Sequence, residues 1–207
     1  MSAVLPLSLL TYWAALTVML RFRKYDYNKR LAASVGLLLF LLIPFNGIPA
    51  YQYVRGYVGD LSISTSILIC SAALFRLSGI RLISASNCKL TLAAFSIAAI
   101  AFYPAALGAG LFDPYTLGYA SLGMPAVLGM IALAAWLAGA WPLMWCIVGS
   151  VAAFHFGILE SSNLWDYLMD PLLCGYALTH TIRHLIRLAR GKLASDTRSD
   201  TQAGSAI

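Results

Sequence analysis

Charged residues are scarce in this chain. Asp, Glu, Lys and Arg make up 11% of its 207 residues, and 60% of the residues are apolar. An ordinary soluble domain carries about 25% charged residues. A compact chain of this length cannot hide so much apolar surface from water, and the same composition excludes disorder and fibrous repeats. We therefore expect an all-α integral membrane protein that crosses the bilayer several times.

Familiar catalytic and metal-binding motifs are also missing. The chain contains no P-loop, HExxH, GxSxG or CxxCH motif. Its four cysteines show neither CxxC nor Cys/His spacing, so we predict no disulfide, no metal site and no cofactor. The net charge of +6 is explained by membrane topology, and nucleic-acid binding is not expected.

Segments without charge predict seven membrane spans. A helix that crosses a bilayer needs about 20 predominantly apolar residues. The longest uncharged segment, residues 114–159, supplies two spans separated by a turn before Pro142. Residues 1–193 are predicted to form one transmembrane helical domain. Its spans are predicted near residues 3–20, 31–47, 61–79, 90–110, 121–138, 142–159 and 164–182.

The basic residues predict the orientation of these spans. Lys and Arg concentrate on the cytoplasmic side of membrane proteins. Seven crossings with the N-terminus outside place every Lys and Arg inside except Arg55, whereas six crossings would export the basic C-terminal segment. We therefore predict a cytoplasmic C-terminus with a disordered tail at 194–207. The predicted location is the cell membrane, multi-pass, which is the inner membrane if the source is bacterial.

The same topology gathers acidic residues on the outer face. Asp60 and Asp113 precede predicted helix starts and are interpreted as helix caps. Asn163 and Asp166 resemble a capping box at the start of the last span. Asp170 is different, because a continuous helix would carry it about 10 Å inward from Asn163, on the face that also holds Asp166.

An ionised Asp inside a span is costly, and such residues usually face a cavity or a partner. We therefore predict an outward-open polar pocket lined by Asp170, with Glu160, Asp166 and Asn163 on its rim. His155 either faces this pocket as a proton carrier or ligand, or is hydrogen-bonded to a neighbour. Arg55, in an outer loop, pairs with an acid, binds an anionic substrate or stays solvated. The candidate catalytic residues are Asp170, Glu160 and His155, and the candidate substrate-binding residues are Arg55, Asp166 and Asn163.

A stripe of small residues on the sixth span predicts a helix contact. Gly149, Ala153 and Gly157 recur four residues apart. Small residues let helix backbones approach closely in lipid. The stripe either mediates self-association or binding of a membrane-protein partner, or it packs internally against the fifth helix. The lipid bilayer is the other expected partner.

Three functions fit these observations. A non-enzymatic accessory or interaction subunit of a membrane system explains the lack of motifs. An enzyme acting on a lipid or lipid-linked substrate at the outer leaflet would use Asp170 or Glu160 as base or metal ligand. A small proton-coupled transporter would titrate Asp170. For the enzyme and the transporter, Asp170→Asn is expected to abolish activity and leave folding intact.

Overall fold

A computed structural model describes residues 4–20, 26–109, 112–119 and 123–204, with side chains as far as residue 191. The predicted cytoplasmic residues 21–25 and the tail end at 205–207 lie outside this range. The all-α class is confirmed, since most of the described chain is helical and its only strands form one short hairpin. Its helices are α1 (Val4–Met19), α2 (Tyr27–Leu42), α3 (Ala50–Val58), α4 (Ile63–Ser78), α5 (Ala85–Pro104), α6 (Gly123–Leu137), α7 (Trp141–His155), α8 (Leu164–Leu168) and α9 (Pro171–Gly204).

Four helices coincide closely with predicted spans, namely α1, α4, α6 and α7. Helix α2 differs, because it begins before residue 31 and ends at Leu42, two residues ahead of Pro44. Proline disfavours helical backbone in the residue before it. The chain then forms a hairpin of β1 (Pro44–Phe45) and β2 (Ile48–Pro49). Its turn is Asn46-Gly47, both at positive φ, which is the sequence preferred for this turn geometry.

Length and hydropathy together single out one segment of the described chain. The stretch Ala85–Ala109, which is α5 with the π-helical turn that follows it, is long and apolar enough to cross a membrane. Helices α1, α4, α6 and α7 are apolar but shorter. The count of seven crossings therefore stays a prediction.

The last apolar segment is interrupted. Helix α8 ends at Leu168, Met169 is extended with φ −145° and ψ 148°, and α9 begins at Pro171. Pro171 favours this break because it lacks an N–H donor and suits the first position of a new helix. The expectation of one continuous helix that carries Asp170 inward is therefore wrong. Helix α9 continues to Gly204 and so includes most of the segment in which the sequence predicts a disordered tail.

Hydroxyl groups join neighbouring helices inside the bundle. Helix α1 packs on α4, α4 and α6 pack on α7, and α5 packs on α9. Four hydroxyl pairs cross such contacts: Thr11–Ser66 at 2.9 Å, Thr17–Ser34 at 3.2 Å, Ser64–Ser150 at 3.4 Å and Ser96–Thr181 at 2.9 Å. Large apolar side chains point outward instead, among them Leu39, Ile97, Ile100, Met130 and Leu133. The bundle therefore buries small hydroxyl side chains among an apolar core and also exposes an apolar surface.

Candidate functional site

Asp170 connects the starts of two helices. Its Oδ1 accepts the Leu173 N–H at 2.8 Å, so the side chain caps α9. Its Oδ2 accepts the backbone N–H of Ser62 at 3.0 Å and a short hydrogen bond from the Thr65 hydroxyl. Ser62 is itself the N-cap of α4. Asp170 is buried, and each of its two side-chain oxygens accepts a hydrogen bond.

Asp166 and Asn163 belong to a second network at the same end of the bundle. The Tyr115 hydroxyl contacts both carboxylate oxygens of Asp166 at 3.0 and 3.1 Å, and Ser161 donates to one of them. Asn163 caps α8 by accepting the Trp165 N–H at 2.9 Å. The capping prediction for Asn163 is confirmed, whereas Asp166 does not return to the Asn163 backbone. That N–H is donated to Ser161 instead.

The loop between α7 and α8 is held to a short 3₁₀ turn at Pro114–Gly118. Buried Asn163 donates to the Tyr115 carbonyl at 2.9 Å. A Cβ added at Gly118 would lie 1.8 Å from the Asn163 Oδ1, so this position requires glycine. Asp113 caps the turn by accepting the Tyr115 N–H at 2.9 Å, as the sequence predicts. Burial and the hydrogen bond to Asp166 both raise the pKa of Tyr115.

Arg55 pairs with two acids. It lies on helix α3 rather than in the loop expected from the sequence. Its guanidinium contacts both oxygens of Asp60, at 2.6 and 2.7 Å, and Glu160 at 2.7 Å. The Arg55 guanidinium lowers the pKa of Asp60, and the two acids raise the pKa of Arg55. Asp60 is therefore an ion-pair partner, and the prediction that it caps the third span is wrong, because Ser62 is the cap.

These networks surround one open cavity of about 410 Å³. Three acidic residues line it, Asp60, Asp166 and Asp170. We call it the acidic cavity. Glu160 and Asn163, which were expected on the rim, do not line it. Glu160 instead borders a neighbouring cavity of about 300 Å³ that also contains Arg55 and Asp60.

The other candidates lie elsewhere. His155 ends α7 with an exposed side chain beside Phe156, at 5.4 Å between ring centroids, and does not line the acidic cavity. Gly149 faces α4, since a Cβ there would meet Ile67 at 2.9 Å. Gly157 lies beyond the end of α7 at φ +60°, so it does not continue the helical stripe.

Several residues of the site escaped the sequence analysis. Ser62, Thr65, Ser161 and Tyr115 supply hydroxyl or amide donors to the carboxylates from 5 to 108 positions away in sequence. Only the Ser-x-x-Thr spacing at the start of α4 offered a signal, because serine is a preferred helix cap. Tyr115 offered no signal, because aromatic residues near the predicted outer face are also typical of the membrane interface.

Hydrogen-bond donors from other parts of the chain hold the carboxylates of Asp166 and Asp170 in place. Within the part of the chain that the structure describes, no group of three His, Cys, Asp or Glu side chains is positioned to hold a metal ion. The site offers negative charge, phenolic hydroxyls and apolar walls in an open cavity, which suits binding of a ligand. Comparison of the chain with protein-family models, curated proteins and solved structures finds no match.

Proposed function

We propose that the chain is a multi-pass protein of the cell membrane. Seven helical segments cross the bilayer, with α8 and α9 together forming the last crossing, the N-terminus outside and the C-terminus in the cytoplasm. The apolar exterior and the hydroxyl pairs between helices support this arrangement, since lipid-embedded bundles bury small polar side chains at helix contacts. Exposed large apolar side chains occur on most of the long helices, whereas soluble monomers rarely expose large contiguous apolar patches.

Helix length is compatible with this proposal. Helices α1 and α4 have 16 residues each, and at 1.5 Å per residue each is about 24 Å long. The hydrocarbon core is about 30 Å thick, and local thinning or flanking side chains accommodate a mismatch of a few ångströms. Four shorter apolar helices can therefore serve as crossings beside Ala85–Ala109.

Labelling of single cysteines tests the topology. In a variant without the four native cysteines, Thr116→Cys and Arg81→Cys place thiols at exposed positions in opposite predicted loops. A membrane-impermeant maleimide should label the first in intact cells and the second only after permeabilisation. A reporter fused to the C-terminus should lie on the side of Arg81. A C-terminal reporter on the side of Thr116 would contradict seven crossings.

Within the membrane, we propose a non-enzymatic accessory role in which the acidic cavity binds a ligand or partner from outside. One observation carries this proposal: the carboxylates of Asp166 and Asp170 converge on an open cavity and are held by scaffold donors. Both carboxylates accept hydrogen bonds from backbone amides or from the hydroxyls of Thr65, Tyr115 and Ser161. A site of fixed acceptors is suited to recognition rather than to proton transfer.

Native gels test the accessory role. In mildly solubilised membranes, the wild-type chain should migrate in a complex with another membrane protein. Asp166→Asn should weaken that complex, and Asp113→Asn, which changes an exposed acid outside the cavity, should leave it intact. Migration of the wild-type chain as a monomer would contradict the proposal.

A proton-coupled carrier is the second candidate, because the helix break at Met169–Asp170 borders the acidic cavity. Carriers place interrupted helices at their substrate sites. Proton or solute flux in proteoliposomes that contain only this chain would favour the carrier over the accessory role.

A further inference from the structure

The acidic cavity has a second kind of wall, formed by aromatic rings. Phe102, Tyr103, Tyr115 and Trp165 all line it. Phe102 is the centre of this wall, with ring centroids 4.4 Å from Trp165, 5.5 Å from Tyr103 and 6.4 Å from Tyr115. The rings come from α5, the 3₁₀ turn and α8, so the wall is assembled by the fold and not by one segment. Aromatic faces carry partial negative charge and attract cations.

The charges in the cavity are of one sign. Among the residues that the structure describes, its lining contains Asp60, Asp166 and Asp170 but no Lys, Arg or His. Arg55 neutralises Asp60 from the neighbouring cavity. Among the ion pairs formed by described side chains, none includes Asp166 or Asp170. Asp166 and Asp170 therefore line the cavity with no ion-pair partner among the described side chains, and a positively charged ligand gains more there than a neutral or anionic one.

The geometry favours an organic cation over a metal ion. The described acids of this cavity do not form a set that could hold a metal. The volume of about 410 Å³ matches small-molecule sites, which occupy about 300–1,000 Å³. Apolar and aromatic walls suit the methyl or methylene groups of an alkylammonium ion, which carry much of its positive charge.

We propose that the acidic cavity binds an alkylammonium group, primary or quaternary. The nitrogen lies against Asp166 and Asp170, and its carbon substituents contact the rings of Tyr103, Tyr115 and Trp165. The proposal rests on the proposed function only in that the cavity is a binding site. Soluble ammonium compounds such as choline and ethanolamine carry this group, and so do the headgroups of phosphatidylcholine and phosphatidylethanolamine.

Calorimetry on the purified full chain in detergent tests the charge requirement. Choline is titrated against 3,3-dimethylbutan-1-ol, a neutral molecule of the same shape. Choline should bind, and the neutral analogue should bind roughly tenfold more weakly or not at all. Equal binding of the two, or binding of neither choline nor ethanolamine in both detergent and lipid, would overturn the proposal.

Variants locate the binding site. Asp166→Asn and Tyr103→Leu should each weaken choline binding roughly tenfold while the neutral analogue is unaffected. Matched controls are Asp113→Asn and Trp145→Leu, which change an exposed acid and an exposed ring outside the cavity. Far-UV circular dichroism and a thermal midpoint confirm that each variant is folded. Loss of binding in the controls alone would place the cation elsewhere and overturn the assignment.

Nanodiscs distinguish the two sources of the ammonium group. If a lipid headgroup occupies the cavity, choline binding measured in phosphatidylglycerol nanodiscs should disappear as phosphatidylethanolamine is added. If the ligand is a soluble ammonium compound, the added lipid should not compete with choline. Because binding is measured on the isolated chain, it does not depend on a partner protein. The chain could migrate as a monomer in native gels and still bind choline more tightly than the neutral analogue. That result would refute the accessory role and leave this inference standing.

Discussion

Replacing Asp170 by asparagine should destabilise the fold, because the carboxylate joins the starts of α4 and α9. Asparagine has nearly the same shape but presents one acceptor and one donor end. If its NH₂ faces Ser62 and Thr65, the backbone N–H of Ser62 meets another donor in a buried place. If the amide is rotated, the Leu173 N–H loses its acceptor. Neither orientation satisfies all three groups.

The size of the effect follows from these contacts. Hydrogen bonds to a charged group contribute about 1.5–3 kcal/mol each, and an unsatisfied buried donor costs about 1–3 kcal/mol. The negative charge beside two helix N-termini is lost as well, at about 0.3–1 kcal/mol for each. Since asparagine retains part of the network, we expect a loss of about 3–4 kcal/mol, a large share of the total stability of an ordinary domain.

Unfolding in mixed micelles, followed by far-UV circular dichroism as sodium dodecyl sulfate is added, measures this loss. Asp113→Asn is the matched control, because Asp113 also precedes a proline and caps a turn but is exposed. Asparagine is as good a helix cap as aspartate, so the control should unfold like the wild type. Unfolding of Asp170→Asn within about 1 kcal/mol of the wild type would refute the capping role. The expected destabilisation replaces the sequence-based expectation that this substitution leaves folding intact.

Two further perturbations address the other networks. Gly118→Ala forces a Cβ against Asn163 and should lower the free energy of unfolding by about 1–3 kcal/mol. Gly129→Ala is the control and should not lower it, because Gly129 has open space around it. Equal free energies of unfolding for the two variants would contradict the close approach. The Arg55–Asp60 pair should make stability fall in acid: the pKa of Asp60 is lowered by folding, so its contribution is present above the unfolded value near 3.8 and is lost as pH falls through the lower folded value. The free energy of unfolding of Arg55→Gln, measured against pH, should fall less in acid than that of the wild type. An unchanged fall would contradict the pairing.

Much of the helical architecture could be predicted from the distribution of charge. The sequence predicts helices in the uncharged apolar segments, because a membrane span must satisfy its own backbone hydrogen bonds. Helices α1, α4, α6 and α7 lie close to those predictions. The hairpin after α2 could have been predicted as well. Pro44 and Asn46-Gly47 are local signals, whose effect was underestimated beside the apolar run that contains them.

The contacts of the site could not be predicted in the same way. Asp166 meets Tyr115 across 51 positions, and Asp170 meets Thr65 across 105. Such contacts depend on which helix ends are neighbours, and hydropathy does not encode this. The helix break before Pro171 could have been predicted from the sequence, since proline favours a helix start. The sequence-based prediction placed Asp170 in the middle of a helix instead. It therefore assigned Asp170 to the wrong helix face and to the wrong neighbouring residues.

The way in which the carboxylates are stabilised bears directly on what the acidic cavity can bind. An internal cation such as Arg55 cancels the charge of its partner, Asp60, and leaves little for a ligand. Asp170 and Asp166 are held instead by amide and hydroxyl donors, which lower the cost of burial without supplying a compensating charge. A site built in this way is stable when empty and still attracts a cation. The choice of neutral donors at these two positions is therefore the structural reason to expect a positively charged ligand.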